Sequence, residues 1–154
     1  MPNYKQHLFA GVVVYLVGLY LVFVCLRAPS FFTGLEWLIC TLAGSLFPDI
    51  DVKSKGQNYF YLSIFCLISF LLLIHKPYLA AGVSLAAFMP LLVVHRGIFH
   101  NIWFIMSLLL VAVCAWCYYM PACQNRFCFD ALFFLAGVVS HLYLDLGLRR
   151  MLRA

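Results

Sequence analysis

The chain has 154 residues, 66% of them hydrophobic and only 10% charged, where an ordinary soluble domain is about half apolar and about a quarter charged. Those proportions exclude a soluble globular enzyme and describe an integral membrane protein. The formal charge of +5 comes without basic runs interleaved with aromatics, so it reports orientation and contact with anionic membrane lipids and not nucleic-acid binding.

Six apolar segments follow in order: Leu8–Leu26, Ser30–Phe47, Tyr59–Ile74, Tyr78–Val94, Ile102–Met120 and Phe129–Leu148. Most approach the roughly 20 residues that cross about 30 Å of hydrocarbon. The first is too long for the core of a signal peptide and no small-residue cleavage pattern follows it, which makes it a retained helix. Between the segments lie Arg27-Ala28-Pro29, the polar insert Asp49 to Asn58, His75-Lys76-Pro77, the stretch 95–101 and Pro121 to Cys128. Each carries the Pro, Gly or charge that ends a spanning helix. With no linker, low-complexity tract or repeat, the expectation is an all-α integral membrane protein, a single domain over 1–154 built as a bundle of about six transmembrane helices.

Six crossings put Lys5, Lys53, Lys55, Arg96, Arg149, Arg150 and Arg153 on one side and Arg27, Lys76 and Arg126 on the other. The excess of basic residues marks the cytoplasmic side and places both termini there. The joint in this reading is the second segment, with Gly34 and Glu36 near its start. Were it re-entrant, every later segment would flip.

The same topology brings four separated polar clusters to one face. His7 precedes the first helix, Phe47-Pro48-Asp49-Ile50-Asp51 follows the second, His95-Arg96-Gly97-Ile98-Phe99-His100-Asn101 precedes the fifth, and His141 and Asp145 approach the end of the sixth. At helical rise Asp145 lies roughly 5 Å, and His141 roughly 10 Å, inside the boundary. Their i, i+4 spacing sets both on one helix face. Ionisable groups inside a membrane helix are costly and mark sites or ion paths, although this pair can also satisfy itself. Asp49 and Asp51 sit two apart, where an extended exit points both carboxylates one way; a cation, either a metal or Lys53 or Lys55, would relieve their repulsion. His95 and His100 are about 140° apart on a regular helix and share a ligand sphere only if the chain turns between them, which Gly97 allows. Otherwise they are interfacial imidazoles. Arg96 suits phosphate or anchors topology. His75, Glu36 and Asp130 fall toward the opposite face as interfacial or structural residues.

Seven N and O donors without a thiolate suit Zn²⁺, Mn²⁺ or Fe²⁺. They exceed one tetrahedral shell, so either two ions bind or one ion binds and the surplus groups orient ligands and move protons. The seven cysteines contain no zinc-ribbon pattern. Cys25, Cys40, Cys66, Cys114 and Cys117 read as packing residues, and Cys123 and Cys128 would close a disulfide if their loop faces an oxidising compartment.

As a set, Gln6-His7-Leu8-Phe9, Phe47-Pro48-Asp49-Ile50-Asp51 with Lys53-Ser54 and Gly56-Gln57, His95-Arg96-Gly97-Ile98-Phe99-His100, and Ser140-His141-Leu142 with Asp145 resemble the YdjM-like family of predicted membrane-bound metal-dependent hydrolases. Order and approximate spacing agree to about residue 150. The resemblance implies a multi-pass protein of the bacterial inner membrane and metal-dependent hydrolysis. The family's third block reads His-Arg-Gly-x-Thr-His-Ser; this chain has Phe99 for the Thr and Asn101 for the Ser, which implies a shifted substrate or weakened activity if those hydroxyls position water or phosphate.

The expected activity is therefore hydrolysis of a phosphoester or ester of a lipid or other amphiphile at the cytoplasmic boundary, in phospholipid metabolism. His7, Asp49, Asp51, His95, His100, His141 and Asp145 are the expected ligands of one or two divalent ions, zinc preferred. Asp49 or Asp51 takes a proton beside His100, and Arg96 holds the headgroup, with Lys53. The alternatives are a divalent metal or proton transporter and a non-catalytic scaffold whose helices a metal clamps. Oligomeric state is not legible.

Overall fold

A computed structural model of the chain describes residues 3–26, 28–51, 55–92 and 98–153. All regular structure among them is helical: α1 (Tyr4–Cys25), α2 (Phe31–Leu46), α3 (Lys55–Leu73), α4 (Pro77–Leu92), α5 (Ile102–Tyr119) and α6 (Gln124–Met151), with short 3-10 turns at Phe47–Asp51, Ile98–His100 and Pro121–Cys123. Five are long and apolar enough to cross a membrane, α2 being counted with its 3-10 continuation as Phe31–Ile50. The sixth, α4, has 16 described residues and so spans about 24 Å.

Local chemistry sets the helix ends. Asn3 caps α1 in a capping box with Gln6: the Asn3 side chain accepts from Lys5 N at 2.8 Å and Gln6 Oε1 accepts from Asn3 N at 2.8 Å, which satisfies two of the donors a helix start leaves over. Ser30 caps α2 through Thr33 N at 3.2 Å. The loop expected at Pro121 to Cys128 is mostly helix: Pro121 opens a 3-10 turn and α6 begins at Gln124, because a proline in a first turn sacrifices no hydrogen bond. Cys128 lies inside that helix as a free thiol, and the side chain of Cys123 lies outside the described residues.

The centre of the bundle is the packing of α2 on α6. Trp37 stacks on Phe133 with ring centroids 4.8 Å apart, Gly137 lies against Thr41 and Ser45, and His141 bonds Ser45 across 96 residues of sequence. The two helices therefore run parallel in constant register. Small residues let them approach: a Cβ on Gly44 would collide with the Phe134 carbonyl, and one on Gly137 would lie 2.8 Å from Ser45 N. Close backbone approach through Gly, Ser and Thr is a usual means of helix association in lipid, where the solvent supplies no hydrophobic drive. Antiparallel α1 completes a three-helix group, with Gly11 beside Ser45 and Tyr15 donating to the Gly34 carbonyl at 3.0 Å. That contact along the length of α2 removes the re-entrant alternative. Ile102 and Ile105 of α5 pack with Val138, Leu142 and Met151 of α6, while the α3–α4 hairpin packs on itself and meets the rest chiefly at the turn Phe47–Asp51.

α1 and α5 start, and α2 and α6 finish, at the same end of the bundle. The first and last described residues lie at this end, which the bias in basic residues assigns to the cytoplasm. At the opposite end Arg126 grips Glu36 through Nε at 2.8 Å and Nη2 at 2.7 Å, and His75 takes the positive φ of 56° that turns α3 into α4.

Candidate metal centre

Four helix ends deliver the polar groups. Pro48 shapes the first. Lacking an N–H, it cannot continue α2, and the chain tightens into the 3-10 turn Phe47–Asp51, with Phe47 N bonding the Gly44 carbonyl. In that i+3 pattern the donor due to the Ser45 carbonyl is residue 48, which has none. His141 takes its place, its Nδ1 lying 2.7 Å from Ser45 O. A carbonyl only accepts, so Nδ1 carries a proton, and in the neutral ring Nε2 presents its lone pair.

That lone pair faces Asp49 Oδ1 and Asp145 Oδ2, each at 3.5 Å. His100 Nε2, delivered by the turn before α5, lies 3.8 Å from the same two oxygens. Donor atoms of Asp49, His100, His141 and Asp145 all fall within 4.8 Å of one another. Donors bound at about 2.1 Å to a common tetrahedral zinc are separated by roughly 3.4 Å, so the set fits one divalent ion after sub-ångström adjustment. His141 Nε2 and Asp145 Oδ1 are buried and make no hydrogen bond among the described residues, and His141 is 0% exposed. Carboxylates turned toward an imidazole lone pair repel it unless a proton or a metal cation lies between them.

His7 stands apart. Its ring stacks on His141 at 3.8 Å and its Nε2 points at Asp145 Oδ1 at 3.4 Å, but it lies outside the group of four donors. Its position beside Asp145 and His141 suits it to orient both. Asp51 ends the 3-10 turn, and only its backbone is described. His95 and Arg96 lie outside the described residues, as does Lys53. Gly147 shapes the end of α6: its φ of 69° breaks the helix two residues after Asp145, a conformation glycine adopts without a steric penalty. Sequence reading missed Ser45, Gly44 and Gly137. Their signal was small residues at four-residue spacing, Thr41 with Ser45, and a glycine, Gly137, one turn before His141.

The model of the YdjM inner membrane protein family matches residues 3–150. The chain belongs to that family. No curated protein and no solved structure gives a significant match. The YdjM match covers all four polar blocks, so the donors that meet here are carried on the segments that the family shares, in a multi-pass protein of the inner membrane. The two departures from the YdjM-like pattern have structural explanations. Asn101 caps α5, its side chain accepting from Phe104 N at 3.0 Å; Ser and Asn are comparable caps, so this position keeps its local function. Phe99 is 5% exposed and meets Phe47 and Phe104 edge to face, filling apolar space where the pattern has a threonine.

Proposed function

We propose that this protein is a membrane-embedded metal-dependent hydrolase acting on a phosphoester or ester of an amphiphilic substrate, a lipid phosphate first, at the cytoplasmic boundary. The observation that carries the reading is the tautomer of His141, fixed by Ser45 so that a lone pair and two carboxylates converge in a buried site. A divalent ion held by Asp49, His100, His141 and Asp145, with zinc the preferred identity, would acidify a water and polarise a phosphoryl oxygen.

The chain's own groups divide the remaining work. Asp145 and His141, 10% and 0% exposed in their side chains, hold the inner wall, and Asp49, at 27%, reaches the mouth. A carboxylate oxygen of Asp49 receives the proton of the attacking water. Arg96 and Lys53 are the proposed holders of the anionic headgroup. A groove of about 990 Å³ runs along the α1–α6 seam from Lys5 and Gln6 past Phe9, Val13 and Leu144, nearly all apolar; it suits an acyl chain whose headgroup reaches the cluster. Transport finds less support. Inward of the cluster Thr41 and Val138 are fully buried, and the Thr41 and Ser140 hydroxyls bond carbonyls of their own helices.

Metal analysis of protein purified without chelator, followed by assay on short-chain lipid phosphates, tests the proposal. The expected result is about one bound ion per chain, lost in His141→Ala, and turnover abolished in Asp49→Asn. A metal-free wild type, or equal turnover in wild type and Asp49→Asn, would refute it. Metal flux into proteoliposomes would favour the transporter, and metal-dependent stability without turnover the scaffold.

A further inference from the structure

We propose that Cys117 of α5 and Cys128 of α6 are a redox pair that closes a disulfide on the periplasmic side, clasping the helix hairpin at the end remote from the candidate metal centre. Cys117 and Cys128 lie close enough across the hairpin to act on each other electrostatically, with Cys114 beside them. Cys128 faces α5 at the level of Leu110 and Val113. Trp116 and Phe127, one residue before each thiol, stack at 4.7 Å with ring planes 14° apart, which holds the helices in register at this level.

Depth and compartment favour oxidation. Cys117 is two residues from the end of α5 and Cys128 four residues into α6, so each lies within roughly 6 Å of its helix end. Arg126 and Glu36, 65% and 30% exposed, place this level among polar headgroups. The termini and the metal centre occupy the cytoplasmic end, so the α5–α6 turn faces the periplasm, where disulfides form and persist. Cys117 and Cys128 are both partly exposed. The competing pair, Cys114 with Cys117, is spaced i, i+3 on one helix, about 5–6 Å between Cβ atoms, beyond the roughly 3.5–4.5 Å that a disulfide spans.

The oxidant is a disulfide, on an exchanging periplasmic protein or a small molecule. The thiolate of Cys128 attacks one of its sulphurs and releases one thiol; Cys117 then attacks the mixed disulfide and releases the second. Two protons and two electrons pass from the cysteines to the oxidant, leaving one Cys117–Cys128 bond and two thiols. The clasp joins the helix that starts just after His100 to the helix carrying His141 and Asp145, limiting how those donors separate.

The test is thiol trapping of the full chain in intact cells with a membrane-permeant alkylating agent, followed by non-reducing peptide mass analysis. The expected species joins the peptides bearing residues 117 and 128, with both protected from alkylation. Cys117→Ser should render Cys128 fully alkylatable, whereas Cys114→Ser should leave the link intact. Purified reduced protein should form the same link with oxidised glutathione and lose it with dithiothreitol. Full alkylation of Cys117 and Cys128 in wild-type cells would overturn the proposal, and so would a link from Cys128 to Cys123 or Cys114. Should Cys117→Ser not accumulate, Cys128→Ser read at Cys117 supplies the same comparison.

Discussion

Replacing Gly137 by alanine is the sharpest perturbation of the geometry on which the metal centre rests, because it adds one methyl group a helical turn before His141 without altering any candidate ligand. The new Cβ would lie 2.8 Å from Ser45 N and 3.0 Å from Thr41 C, and closer still to the Thr41 carbonyl oxygen. All three are helix backbone. To restore ordinary contact α2 and α6 must part by several tenths of an ångström at least, and the Ser45 carbonyl that holds His141 at 2.7 Å moves with α2. A separation approaching 3.6 Å is no longer a hydrogen bond. Overpacking of this kind costs about 1–3 kcal/mol and the lost hydrogen bond about 1 kcal/mol more, together roughly 2–4 kcal/mol. Gly137→Ala should therefore lower resistance to denaturing detergent by that amount and weaken metal binding measured by titration calorimetry, because His141 loses the partner that fixes its tautomer. Adding the same methyl at Gly82, where a Cβ meets nothing within 4 Å, should change neither. A Gly137→Ala protein with wild-type stability and metal affinity would refute the claim that the α2–α6 contact sets the imidazole.

Two further outcomes follow from helix ends at the site. Asn101→Ala removes the cap on α5 and should cost about 0.5–2 kcal/mol by thermal unfolding in detergent, whereas Asn101→Ser should retain most of that stability; equal losses would mean that the cap is not what residue 101 provides. Gly147→Ala meets no atom within 4 Å but must adopt φ 69° with ψ 162°, a region essentially confined to glycine, so it should destabilise by about 1–3 kcal/mol through backbone strain alone, and Gly147→Asn, which gains nothing there, should lose as much in the same unfolding measurement.

Membrane residence and the number of helices were legible in the sequence because they depend on sums. An apolar run of a given length partitions into hydrocarbon whatever its neighbours do, and the bias in basic residues orients it without reference to packing. The gathering of His7, Asp49, His100, His141 and Asp145 at one end followed from that topology. Which of them share one ligand sphere did not follow. His7 sat in the same pattern as the rest and proved to stack on His141 outside the four-donor group. The carbonyl that fixes His141 belongs to Ser45, 96 residues away, and becomes available only because Pro48 cannot supply the N–H it would otherwise receive. Likewise the approach of Cys117 to Cys128 is made across the hairpin between two helices. Composition and spacing decide where a segment lies. A ligand shell or a thiol pair depends on contacts of a few ångströms between separate helices, and those are set by how closely glycine, serine and threonine let the backbones approach.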